Sequence, residues 1–195
     1  MTQGGDPNSP HELSRTTLLE IVDRLIAARH VKLLAVAVVL VSALLFVVFV
    51  FSRFGGYFLV ATAGPFFLIL ALSSLLEERS FRTLSRVQAN FVQPSRRLLI
   101  GAFGSLLIAA TFPLMFATEA WVGLLILGFP LWIVGEIGSA SGVHLLSERY
   151  YPPYLKRKDF VSAVIWPVGE LRGLREFQRL LREASPIDPS VRDLL

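Results

Sequence analysis

Four long apolar runs, at 33–52, 56–76, 98–117 and 120–147, alternate with polar stretches along this chain. Each holds about 20 residues or more. At about 1.5 Å rise per residue that is roughly 30 Å of helix, the thickness of a bilayer's hydrocarbon core. The pattern predicts four transmembrane helices in one membrane domain over 32–148. The connections at 53–55 and 118–119 are very short, so the helices pair as two antiparallel hairpins. A longer polar connection at 77–97 joins the hairpins.

The segments outside the runs are amphipathic. Residues 1–8 are polar with Gly and Pro, and disorder is expected there. Ser9-Pro10-His11-Glu12 reads as a helix start, with Ser9 and Glu12 placed for a reciprocal cap and Pro10 at the first helical position. Over 9–31, Leu18, Leu19, Ile21, Val22, Leu25 and Ile26 share one side of a helix, and Glu20, Asp23 and Arg24 the other. This predicts a helix lying on the membrane surface that turns into the bilayer at Lys32. The second run is expected to continue as helix to about Phe91 and to end at Pro94. Arg79, Arg82 and Arg86 would lie on one face of that extension, with Phe81, Leu84, Val87 and Phe91 opposite. Tyr150, Tyr151, Tyr154 and Phe160, with Lys156, Arg157 and Lys158, read as an aromatic and basic belt at headgroup level. The apolar stretch at 160–168 is too short to span. From 170 to 183 the period is again helical. Arg172, Arg175, Arg179 and Arg182 form one stripe, and Leu171, Leu174, Phe177, Leu180 and Leu181 another. Ser185-Pro186 should end this helix. A cationic stripe beside an apolar one predicts an interfacial helix within 149–195.

The fold class expected is therefore an all-α integral membrane protein, four transmembrane helices in two hairpins, with amphipathic interfacial helices at both ends. Composition agrees. The chain is 53% hydrophobic and only 17% charged, with a mean hydropathy of +0.59. Charge adds orientation. Every Lys and Arg except Arg53 falls before the first run, between the second and third, or after the fourth. By the positive-inside rule both termini face the cytoplasm, and the expected location is a prokaryotic plasma membrane. The first run follows 32 largely polar residues and no cleavage site follows it, so it reads as a retained anchor. The net charge of +4 suits anionic headgroups. Nucleic acid is not expected as a partner, because the basic residues are spread over segments that hug the membrane. The absence of cysteine excludes disulfides, thiolate metal sites and thiol catalysis.

Candidate chemistry centres on Glu136 in the fourth run. A carboxylate near mid-depth costs roughly 2.5–3.5 kcal/mol, and the strong hydrophobes of the same run return about 0.3–0.6 each, so the segment still inserts. Ser105 on the third run and Ser73 or Ser74 on the second are its candidate partners. A face of small residues surrounds it: Gly135, Gly138, Ser139 and Gly142. The third run offers Gly101, Ser105 and Ala109 at four-residue spacing. Such faces let helices approach closely, within the chain or against another subunit. His30 and His144 fall at one depth and could ligate a haem-like group, but headgroup-level polar roles are commoner, and no cofactor is expected. No nucleophile–base pair, phosphate loop or metal-ligand cluster occurs, so an enzyme is not expected.

Three readings follow. The first is a scaffold or accessory subunit in a larger membrane complex or homo-oligomer. Its two short hairpins with flanking amphipathic helices resemble, in topology only, membrane-shaping proteins such as reticulons or prenylated-Rab-acceptor-type proteins. The second is a small oligomeric transporter or channel protomer built on Glu136. In the third, Arg79, Arg82 and Arg86, Lys156, Arg157 and Lys158, and the stripe from Arg172 to Arg182 read anionic lipid or an acidic partner.

Overall fold

The computed structural model describes residues 15–49, 55–115, 121–152, 155 and 167–183. The described residues are helical, with no strand among them. They form α1 (Arg15–Phe49), α2 (Gly55–Ser85), a 3-10 turn (Ala89–Phe91), α3 (Val92–Leu114), α4 (Trp121–Tyr150) and α5 (Pro167–Glu183). Among the described residues, three stretches are long and apolar enough to cross a membrane: Arg15–Leu44, Ala89–Leu114 and Trp121–Tyr150. They mark the chain as membrane-embedded. The helix start at Ser9-Pro10, the disorder expected at 1–8, the 118–119 turn, the Lys156–Lys158 belt and the stop at Ser185-Pro186 lie outside the described residues.

The surface divides into two zones. Around one half of the bundle the exposed side chains are apolar: Leu34, Leu40 and Leu44 on α1, Leu68, Leu72 and Leu75 on α2, Leu99, Phe103 and Leu106 on α3, and Ile126, Ile133 and Ile137 on α4. So many large exposed hydrophobes form a belt suited to lipid. Around the other half, exposed side chains are mostly polar or charged, among them Glu20, Arg24, Arg79, Arg86, Arg96, Glu148 and Arg149, although Val87, expected on an apolar face, is exposed as well. The change falls between His30 and Leu34 on α1, Leu75 and Arg79 on α2, Arg96 and Leu99 on α3, and Ile137 and Glu148 on α4.

The polar half is a packed head. Its core joins Leu18, Ile21, Val22 and Leu25 of α1, Phe81 and Leu84 of α2, Phe91, Leu98, Leu146 and Tyr150, and Leu174, Phe177 and Leu181 of α5. The apolar faces of the expected surface helices are used here, on one another. The turn expected at Lys32 is absent: α1 is one helix of 35 residues. At 1.5 Å per residue it is about 52 Å long, some 20 Å more than the hydrocarbon core, so a continuous rod carries membrane and head alike.

The chain also turns earlier than Pro94. α2 ends at Ser85, and the amides of Val87 and Gln88 both donate to the Leu84 carbonyl, at 3.0 and 2.9 Å. Phe91 then folds back to stack on Phe81, with ring centroids 5.9 Å apart. Burying Phe91 in the head core outweighs extending α2 to expose it. Pro94 sits in the first turn of α3, where no intrahelical amide is needed, so it opens a helix rather than closing one.

α5 runs antiparallel along α1. Arg15 donates to the carbonyls of Leu181 and Arg182 at the end of α5, capping it with positive charge. Asp23 accepts from Gln178, and Arg29 meets Glu170. α5 therefore stands against the head, along the bundle, with its apolar face on protein.

Candidate functional site

Arg29 lies on the buried stripe of α1, one step beyond Leu18, Val22 and Leu25, and is 1% exposed. Its guanidinium joins four helices. Nη1 donates to Glu77 Oε1 of α2 at 2.8 Å. Nη2 donates to Ser139 Oγ of α4 at 3.0 Å and pairs with Glu170 Oε2 of α5 at 2.7 Å. One turn further along α1, Lys32 Nζ meets Glu136 Oε2 of α4 at 2.5 Å. Two cations thus face three carboxyls on the line between belt and head. A planar guanidinium suits such a node, because its donors leave in a fixed fork toward several acceptors.

The carboxyls outnumber the cations, and the electrostatics reflect this. Burial pushes the Glu170 carboxyl up to about 7. Arg29 and Lys32 oppose that rise, and Glu77 and Glu136 add to it. Two buried atoms of the cluster, Arg29 Nε and Glu77 Oε2, have no hydrogen-bond partner. Nearby, Glu78 is also buried. Its Oε1 accepts from Ser95 Oγ at 3.1 Å and from Arg82 Nε at 2.7 Å, tying α2 to α3.

Glu136 is therefore placed differently from the expectation. It is near the end of the lipid belt, since the last turns of α4 belong to the head. Its partner is Lys32, not a serine. Ser105 Oγ donates to Gly101 O of its own helix, Ser73 Oγ donates to Ala28 O of α1, and Ser74 is buried on α2. Lys32 was legible only as a topological charge. Arg29, Glu77 and Glu170 were missed too, although each occupies a core register: Glu77 lies between Ser73 or Ser74 and Phe81, and Glu170 four residues before Leu174.

The small residues close helix contacts inside the chain. Gly101 of α3 and Gly135 of α4 face each other so closely that a Cβ on Gly101 would overlap Gly135 Cα and lie 3.0 Å from its amide nitrogen. A Cβ on Gly104 would come within 2.5 Å of Trp132 N, and one on Gly138 within 2.6 Å of Arg97 Cβ. Ser105 and Ala109 are buried on the same α3 face, and Ser139 holds Arg29. Gly142 receives the Phe81 ring of α2, with 2.6 Å between its would-be Cβ and Phe81 Cζ. These faces are thus occupied and not free for a second subunit.

The arginine rows differ in their surroundings. On α5, Arg172, Arg175, Arg179 and Arg182 are exposed, while Leu171, Leu174, Phe177 and Leu181 are buried and Leu180 half-buried. Arg175 Nη2 lies 2.7 Å from His30 Nε2, and His30 Nδ1 lies 2.8 Å from the Ile26 carbonyl. That geometry fits a neutral ring donating through Nδ1 and accepting from the guanidinium. Arg179 reaches Glu176 and Glu183 only at 3.6 and 3.7 Å, and Arg182 reaches Asp23 at 3.6 Å. Arg172 makes no ion pair among the described residues. On α2, Arg79, Arg82 and Arg86 are exposed, with Arg82 held by Glu78. Lys156, Arg157 and Lys158 lie outside the described residues. His144 pairs with Glu148 at 3.3 Å on its own helix. Among the described residues no group of three His, Cys, Asp or Glu side chains is placed to hold a metal ion.

No protein-family model, curated protein or solved structure matches this chain.

Proposed function

We propose that this chain is a non-enzymatic multi-pass membrane protein, a scaffold or accessory subunit whose charged head engages anionic headgroups or an acidic partner. In this reading α2 is a fourth span, the helices cross as two hairpins in a plasma membrane, and both termini and the head are cytoplasmic. The charge distribution supports that orientation, since the exposed arginines described above all lie on the head.

One observation carries the reading. The arginine row of α5 is displayed on a helix whose apolar face is largely buried against the head. A helix anchored this way has no need of lipid for its own burial, so its guanidiniums are free to serve recognition. Surface charge held on a rigid element loses little entropy on binding. The alternative of a transporter or channel protomer using Glu136 has less support. Lys32 already neutralises that carboxylate, and the glycine faces an oligomer would use are taken within the chain.

The test is site-specific photo-crosslinking in native membranes, with the reactive group at Glu183 on the exposed end of α5. Lipid or protein adducts that disappear when Arg172, Arg175, Arg179 and Arg182 are all changed to Gln support the reading. Adducts indifferent to those changes, or none in either protein, overturn it. Proteoliposome flux lost in Glu136→Gln but present in wild type would favour the transporter.

A further inference from the structure

The arginine row does not meet the membrane evenly. α5 stands along α1, so successive arginines climb away from the belt. Arg175 is fixed in height by its 2.7 Å contact with His30. His30 lies four residues, about 6 Å, along α1 from Leu34, which is 57% exposed in the apolar belt. The headgroup layer occupies roughly the first 5–8 Å outside the hydrocarbon. Arg172 and Arg175 therefore lie in that layer, while the backbone of Arg179, about 6 Å further along α5, stands beyond it and that of Arg182 further still.

At this height α5 forms a shallow groove of about 360 Å³ lined by Leu171, Arg172, Arg175, Glu176 and Arg179. Three guanidiniums against one carboxylate leave the groove cationic, and Leu171 gives it an apolar edge. Arg172 shares the groove with Glu176 but makes no ion pair among the described residues. Arg175 is turned by a neutral acceptor, His30, rather than neutralised by an acid. Two guanidiniums one turn apart, neither in an ion pair among the described residues, match the oxygens of a phosphate diester, since arginine binds phosphate through parallel N–H bonds.

From this geometry we infer that the α5 groove binds the phosphate of an anionic lipid headgroup, with Arg172 and Arg175 as the principal donors and Arg179 completing the charge. This rests on the reading of the head as a surface for anionic partners and names the ligand class. The groove's height selects a headgroup over a phosphate in solution. The lipid's acyl chains can run down beside Leu34 and the exposed α1 face while the phosphate stays at Arg175.

The test uses the full-length protein in mild detergent, with added phosphatidylglycerol, phosphatidylcholine or inorganic phosphate, and native mass spectrometry to count retained lipid. Wild type should retain phosphatidylglycerol over phosphatidylcholine. Changing Arg172, Arg175 and Arg179 together to Gln should weaken retention about tenfold or more, because charge-assisted bonds are lost. The same positions changed to Lys should recover part of it. Changing Arg79, Arg82 and Arg86 to Gln should leave it unaltered, which separates a built groove from general cationic attraction. An unchanged far-UV spectrum and melting temperature in each variant exclude unfolding. Equal retention in the Gln variant overturns the groove while leaving the head's broader role standing. Displacement of lipid by millimolar inorganic phosphate overturns the headgroup assignment in favour of a free phosphate. Failure to retain any anionic lipid, with charge-dependent protein adducts still formed at Glu183, overturns this inference alone.

Discussion

Arg29 and Glu170 meet at 2.7 Å in a site where both side chains are almost fully buried, and this pair seats α5 on the membrane bundle. The same guanidinium holds Glu77 and Ser139, so one residue fixes α1, α2, α4 and α5 together. Removing the cation alone would strand two buried carboxylates. Breaking a buried pair in this way costs about 3–5 kcal/mol. Arg29→Met should therefore lower the melting temperature in detergent markedly. Adding Glu77→Gln and Glu170→Gln to it should restore much of the loss, since the charges no longer need a partner. If the triple variant is no more stable than Arg29→Met, electrostatics is not what the node contributes.

Glu170 also gives the head a pH dependence of known sign. Its carboxyl is held up at about 7, against an ordinary value of 4.5. The folded state thus binds this proton more tightly than the unfolded chain does. Its contribution is fully present below about 4.5 and is lost as pH rises through about 7. Acidification from pH 8 to pH 5 should stabilise the docking of α5. Thermal melts followed by tryptophan fluorescence should show wild type gaining stability over that range relative to Glu170→Gln. A wild-type profile that falls with acidification in this window, while the Gln variant stays flat, contradicts the assignment.

The α3–α4 contact should be intolerant of the smallest side chain. A methyl group on Gly101 or Gly135 meets backbone, which cannot move aside as a flexible side chain can. Gly101→Ala should destabilise by about 1–3 kcal/mol, the usual range for overpacking. Gly123, on the same α4, has nothing within 4 Å of its would-be Cβ. Gly123→Ala should be neutral or slightly stabilising. Resistance of the purified proteins to heat or SDS would rank the two, and equal effects would mean the close approach is not maintained in the bilayer.

The helical periods and the apolar runs were readable because 3.6-residue repetition and segment length are local properties. What covers an amphipathic face is not local. The stripe of Leu18, Val22 and Leu25 has the same pattern whether lipid or protein lies on it, and here the cover is α2 and α5. Arg29 was the available sign of protein, since a cation in register with that stripe must be met by carboxylates somewhere. Glu77 and Glu170 occupy core registers of their own helices and supply them. The pairing of Lys32 with Glu136 joins residues far apart in sequence, and nothing in either segment names the other. Phe91 shows the same limit for a boundary: its place in the helical period suited an α2 extension, but stacking on Phe81 decided the turn.

Phe81 and Gly142 offer the sharpest test of how the head is packed. The Phe81 ring is fully buried, stacked on Phe91 and pressed against α4 where Gly142 has no side chain. Gly142→Ala would place its methyl about 2.6 Å from Phe81 Cζ, too close for either to stay. The ring is enclosed, so the strain should be about 1–3 kcal/mol. Phe81→Leu alone should also destabilise, by leaving a void where the ring was. Together the two changes should cost less than the sum of their separate effects, because the shorter Leu vacates the volume the methyl needs. Residues in contact commonly show such coupling at about 0.5–3 kcal/mol. A double-mutant cycle read from melting temperatures or SDS resistance measures it directly. Strict additivity would place Phe81 away from Gly142 and would open the head core that positions α5.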